Sequence, residues 1–324
     1  MRLKILILFL AMLCPVYCLA APTFKFTAKI VDSNGRPIEG AAIKARFTGS
    51  NFKVERGETD KKGLFTAEGK TTTFCNFGVS KEGYYMSGYS FEPMLVKGEI
   101  AFGRWQPWNP TIEVVMKEKR NPIPMYIGTF GHVKIPAYNK PVGYDLEKGD
   151  WVAPYGDGSI KDFIFVFKVS DKDANPWDDH WRCSFELTFS NEKDGIQEYY
   201  EPEDNQSKYI WPYKAPETGY QSKWSGFRIK VNDGPIEKSY KEDRHYIFRV
   251  RTKVDNNGNI IDARYGKIRS DMLLGLRTIR FAYYFNHTGT RNLEYDTEAP
   301  LMINQNPKLQ KMSSRDLKHP MMSP

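Results

Sequence analysis

The stretch Phe24-Lys25-Phe26-Thr27-Ala28-Lys29-Ile30-Val31-Asp32-Ser33-Asn34-Gly35 alternates apolar and polar side chains and then breaks at Asn-Gly. Alternation with a period of two is the mark of a half-buried strand, and Asn-Gly supplies the positive φ that a tight hairpin needs. The same reading extends along the chain. Ala41 to Thr48 and Phe52 to Glu58 are strand candidates, and Thr59-Asp60-Lys61-Lys62-Gly63 is a second turn. Leu64 to Ala67, Thr72 to Ser80 and Thr111 to Lys117 complete six or seven strands. No long amphipathic helix interrupts them, so the pattern predicts an all-β sandwich or barrel.

Composition sets the limits. A chain of 324 residues suggests two domains at roughly 150 residues each. Apolar residues make up 40%, which excludes disorder throughout, and 25 Gly with 20 Pro exclude a collagen-like fibre. The long apolar run is confined to the N-terminus, which excludes a polytopic membrane protein.

Three signatures then occur in order over residues 24 to 84. Ile30-Val31-Asp32-Ser33-Asn34-Gly35-Arg36-Pro37-Ile38-Glu39-Gly40-Ala41 comes first, and Thr59-Asp60 with Gly63 and Phe65 comes second. Val79-Ser80-Lys81-Glu82-Gly83-Tyr84 closes the set. Together they resemble carboxypeptidase regulatory-like domains, a family with a transthyretin-like β-sandwich. The resemblance implies a scaffold module beside other activities, since none of these residues carries chemistry. Asp60 caps its own turn and Pro37 pre-sets another.

The Pro-rich passage Asn121-Pro122-Ile123-Pro124 marks a boundary. The expected order is a signal segment over 1–20, the regulatory-like sandwich over 21–118 and a linker over 119–125. A second, larger antiparallel sandwich or barrel follows over 126–299, with a polar tail over 300–324. Strand candidates in the second domain are Phe163 to Val169, Cys183 to Phe189, Phe227 to Val231, Tyr246 to Val254 and Ile279 to Phe285. Asp255-Asn256-Asn257-Gly258-Asn259 reads as a hairpin turn, and Ser270 to Leu276 as the one helical turn.

Arg2 and Lys4, the apolar Ile5 to Leu13, and Cys18-Leu19-Ala20 form a secretory signal with cleavage expected after Ala20. The expected address is the bacterial periplasm, cell surface or extracellular space, with no membrane span after cleavage. Cleavage would take the formal net charge from +8 to +6, because Arg2 and Lys4 leave, and would leave only Cys75 and Cys183. Each shares a strand face with core residues (Phe77 and Val79 for the first, Phe185, Leu187 and Phe189 for the second), so two separate free thiols are expected.

Motifs for chemistry are scarce. No His-x-x-Glu, Gly-x-Ser-x-Gly, P-loop or dinucleotide fingerprint occurs. No organic cofactor is expected. Asp171, Asp173 and Asn175, with Asp178 or Asp179, have the alternate oxygen spacing of a calcium loop. Pro176 and Arg182 stand where an EF-hand needs Gly and Glu, so only a looser calcium site or a plain acidic loop remains.

Charge is uneven. From Asp171 to Asp204 the net is −8, and from Lys223 to Arg291 it is +8. Arg228 and Lys230, with Arg249, Arg251 and Lys253, form an expected outward cationic set. They either bind an anionic partner or are neutralised by the acidic segment, and the second reading is favoured. Tryptophans in turn-like settings, Trp177 and Trp181 among them, offer sugar-stacking surfaces or close the ends of the core. The expectation is an exported, non-catalytic binding or scaffolding protein whose partner is a glycan or another envelope protein, not a nucleic acid. The competing expectations are a glycan hydrolase with a carboxylate site in the second domain, and a purely structural surface protein.

Overall fold

The structure, a computed structural model, describes residues 21–49, 53–92, 99–128, 131–170, 177–232, 234–296, 299 and 301–302. The expected signal segment, the residues Asp171, Asp173 and Asn175, and most of the expected tail lie outside them. Every regular element among the described residues is a strand. The chain is all-β, and it divides into two compact units.

The first unit holds β1 (Thr23–Asp32), β2 (Ala42–Phe47), β3 (Lys53–Glu58), β4 (Leu64–Lys70), β5 (Cys75–Ser80) and β6 (Ser87–Phe91). The short β7 (Ile100–Ala101) and β8 (Arg104–Trp105) follow, and then β9 (Thr111–Met116). One sheet runs β4-β1-β8-β7 with β9 also paired to β1, and the other runs β3-β2-β5-β6. Period-two burial puts Phe24, Phe26, Ala28 and Ile30 inside, opposite Phe47, Cys75, Phe77 and Val79. The Phe26 and Phe77 rings stack at 4.8 Å, and Phe24 stacks on Phe91 at 4.6 Å.

The second unit begins with β10 (Tyr126–Gly128), β11 (Val133–Lys134), β12 (Pro141–Asp145), β13 (Asp150–Trp151), β14 (Phe163–Val169) and β15 (His180–Thr188). It continues with β16 (Gly195–Tyr200), β17 (Lys223–Val231), β18 (Glu237–Lys238), β19 (Arg244–Val254), β20 (Ile260–Leu274), β21 (Thr278–Asn286) and β22 (Leu301–Met302). A six-stranded sheet, β13-β12-β14-β15-β17-β18, lines the core with Phe163, Phe165, Phe167, Phe185 and Leu187. A seven-stranded sheet, β16-β19-β20-β21-β10-β22 with β11 on β21, contributes Tyr246, Phe248, Phe281, Tyr283 and Phe285. A second apolar cluster lies on the far face of this sheet, where Tyr209, Ile210 and Trp211 cover Ile247, Ala263 and Tyr265.

Three sequence readings change. The segment expected as a linker is fastened to the second unit, because Arg120 and Asn121 donate backbone N–H bonds to Glu294 at 2.9 Å each. Residues 82–86 also belong to that unit, where the Tyr85 ring stacks on Tyr209 at 4.5 Å. Ser270 to Leu276 is not helical: β20 runs on to Leu274, with a register shift between Arg269 and Leu273 and φ +61° at Ser270. Cys75 and Cys183 are free and buried, and burial pushes the Cys75 thiol up to about 12 and the Cys183 thiol up to about 11.

Candidate functional site

The expected cationic set rests largely on β19, and that strand explains its fate. Its Tyr246, Phe248 and Val250 face the sandwich core, while Ile247 packs under the cluster formed by Tyr209 and Trp211. Both faces are therefore covered. Alternation revealed the two rows of the strand but not the second layer lying over one of them.

Arg249, expected to face outward, is 6% exposed. Its guanidinium donates to the Lys193 and Glu217 carbonyls at 2.8 and 2.9 Å and stacks over the Tyr220 ring at 4.4 Å. Arg251 is redirected by the backbone. Its φ is +57° and the β19–β20 register shifts between Val250 and Lys253, so its side chain leaves the outward row. It reaches Asp145 of β12 on the opposite sheet and sits 5.1 Å from the Phe285 ring centroid on its own sheet. Lys253 alone of the three is open to water, with 72% side-chain exposure and Asp262 at 3.6 Å.

On β17 the inward and outward rows are the reverse of those read from the sequence. Trp224 pairs with Leu187, Gly226 with Phe185 and Arg228 with Cys183, so Arg228 and Lys230 continue the inward row. Arg228 lies over the Trp181 ring at 5.4 Å, and Lys230 Nζ is 3.5 Å from the Trp177 carbonyl. Phe227 and Val231 are the residues that face solvent, 43% and 48% exposed. Trp181 is 3% exposed and closes the core, so it is not a stacking platform. Trp177 is 87% exposed, and Asp178 beside it is exposed too. Among the described residues no three His, Cys, Asp or Glu side chains are grouped to hold a metal.

The sequence reading did not identify the groups that converge on these arginines. Arg251 binds Asp162 through two bonds of 2.8 and 2.9 Å, Glu147 at 2.7 Å and Asp145 at 3.4 Å. Asp145 accepts backbone N–H bonds from Glu147, Lys148, Ser159 and Ile160, which closes the loop between β12 and β14. Burial pushes the Asp162 carboxyl up against the pull of Arg251 and the Leu146 N–H. Burial opposes the Arg251 charge as well, but its bonds to Asp162 and Glu147 outweigh this and raise it.

At the other end of β19, Arg244 grips Asp271, donates to the Ser239 carbonyl at 2.5 Å and meets Glu198 at 3.3 Å. Asp271 also accepts from Tyr246 Oη, from Lys241 N at 2.9 Å and from Met272 N at 2.7 Å. His245, on the opposite face, accepts from Ser270 N at 2.8 Å, and burial, aided by Arg269, lowers it to about 4. Lys267 is wholly buried among Tyr209, Trp211 and Tyr284 and donates to the Leu293 carbonyl at 2.8 Å. Burial holds its amine far below the usual lysine range. Asp145 to Gly149 carried a turn signal in the sequence, but nothing in the alternation of β20 marked Lys267 as buried.

No family model matches the chain, and no curated protein matches it. Solved structures similar in part include 3-chlorocatechol 1,2-dioxygenase from Rhodococcus opacus 1CP, at 11% identity and TM-score 0.25. That match covers 31% of this chain and 61% of the dioxygenase, so the chain spans less than two thirds of it. The shaft pilin SpaA from Lactobacillus rhamnosus GG matches over 80% of this chain and 93% of its own, at 13% identity and TM-score 0.23. The major pilin BcpA of Bacillus cereus matches over 87% and 98%, at 12% identity and TM-score 0.24. At such scores neither activity nor partner passes to this chain.

Proposed function

We propose that this is an exported, non-catalytic protein of the bacterial envelope that acts by presenting surfaces, with a glycan or another envelope protein as partner. One observation carries the reading. The charged groups that converge in the second unit are bound to counter-charges and backbone N–H groups, and these bonds fasten loops to strands. Such groups hold shape. The regulatory-like reading of the first unit fits the same role and is supported by its two small sheets and the Asp60-to-Gly63 turn.

A second reading, glycan hydrolysis, has one observation in its favour. Glu147 is 39% exposed at its side chain and shares Arg251 with Asp162, whose carboxyl is raised. Two neighbouring carboxyl groups, one of them raised, are the kind of pair that cleaves glycosides. Incubation with envelope polysaccharide separates the two. Retention without release of reducing ends supports presentation, and release that disappears in Glu147→Gln would establish hydrolysis. Export is checked by N-terminal sequencing of the envelope fraction, which should begin at Ala21.

A further inference from the structure

The hairpin β7–β8 ends in a residue that its own fold does not call for. Ile100 pairs with Trp105 and Ala101 with Arg104, so Phe102 and Gly103 are the two turn residues, with φ of +51° and +70°. A two-residue turn with both φ positive favours Asn-Gly or Gly-Gly, because a bulky L residue is strained there. Phe102 is nevertheless present, and its side chain is 103% exposed. It buries nothing within the described chain. Strain and exposure together are the pattern of a residue kept for an external contact.

The rest of the hairpin is a rigid mount. Trp105 is 4% exposed and its Nε1 donates to the Thr71 carbonyl at 2.9 Å. Thr23 N donates to the Gly103 carbonyl at 2.9 Å and ties the turn to the start of β1. Ile100, 56% exposed, adds a second apolar side chain near the tip. From the other face of the hairpin Arg104 lies 4.7 Å from the Trp108 ring centroid, and Lys25, whose Nζ is 3.5 Å from Glu68, lies 5.9 Å from it. The one acidic side chain on the hairpin, Glu99, is at its base, where its carbonyl receives the Gln106 N–H.

We propose that this tip docks on an anionic phospholipid surface. Phe102 and Ile100 enter the acyl boundary, and Arg104 and Lys25, flanking Trp108, meet lipid phosphates. An apolar tip with two adjacent cations and an interfacial tryptophan supplies the two kinds of attraction that reversible attachment to a bilayer requires.

Sedimentation with phosphatidylglycerol–phosphatidylcholine vesicles tests it, using chain that starts at Ala21 so that the apolar residues before it add no affinity. Wild type should sediment with these vesicles and only weakly with pure phosphatidylcholine. Phe102→Gly should weaken binding about tenfold or more while its thermal midpoint stays level or rises, because glycine relieves the positive φ. Phe102→Leu should retain most of the binding. Lys25→Glu/Arg104→Glu should abolish the preference for anionic lipid. Wild type that stays in solution with anionic vesicles, or Phe102→Gly that binds like wild type, overturns the proposal.

Discussion

His245 and Arg251 show how far a single side chain departs from its intrinsic chemistry once the fold surrounds it. His245 is 8% exposed and its folded pKa is about 4, whereas an unfolded histidine titrates near 6.5. The unfolded chain therefore binds more protons between these values, and the contribution is fully present above pH 6.5 and lost as pH falls toward 4. Its size is about 3 kcal/mol at most. His245→Asn keeps an acceptor for the Ser270 N–H and should flatten denaturation midpoints across that window. An identical slope in both proteins would show that His245 is not the group responsible. Arg251 makes a different case. Its removal leaves Asp162 and Asp145 buried without a cation, so Arg251→Ala should cost about 3 kcal/mol in chemical denaturation. Lys253→Ala, two positions on and in water, should cost under about 0.5 kcal/mol.

Two devices recur among the strands, and they differ in how visible they are in sequence. Asp32, Asp60 and Asp255 each accept from the N–H groups two and four residues on, and each turn closes on a glycine at φ +72° to +79°. The Asp-x-x-Gly spacing is local, so these turns were legible; the Asp255 turn joins the paired strands β19 and β20, whereas the Asp32 and Asp60 turns pass the chain from one sheet of the first unit to the other. The second device pairs a glycine with an aromatic ring on the neighbouring strand: Gly266 with Phe248, Gly226 with Phe185, and Gly128 with Tyr283. A Cβ at Gly266 would lie 2.2 Å from the Phe248 ring and 2.5 Å from the Tyr284 carbonyl. Gly266→Ala should therefore destabilise by about 2 kcal/mol through overpacking, with the ring forced off its rotamer. A variant as stable as wild type would mean that the strands separate at little cost. Strand existence and the inward faces of β1, β5 and β15 were readable from alternation. The reversed rows on β17 were not, because Phe227, Ile229 and Val231 look like core and face outward. Arg251 was misplaced for a related reason, since a bulge is a one-residue shift that alternation cannot register.

Across the whole molecule, the charge asymmetry is handled differently from the expectation. The acidic stretch from Asp171 to Asp204 supplies some partners, Glu186 to Lys223 and Glu198 to Arg244. Arg251, however, is met by Asp145, Glu147 and Asp162, and Lys253 by Asp262, all outside that stretch. Of the five cations expected as a stripe, Arg249 and Arg251 are enclosed, Arg228 and Lys230 are half-buried, and Lys253 stands in water. A multivalent polyanion needs several cations presented together, and isolated exposed ones are screened beyond about 8 Å at physiological salt. Such a polymer also offers no apolar layer to Phe102, so it does not report on the hairpin tip. Retention on an anionic column should therefore be weak and end below physiological ionic strength. Arg249→Ala/Arg251→Ala should lower the thermal midpoint by several degrees while leaving the elution salt of the folded protein nearly unchanged. If wild type instead holds well above physiological salt, and Lys230→Ala/Lys253→Ala releases it without loss of stability, a working cationic surface exists and the charges are not merely fastening the fold.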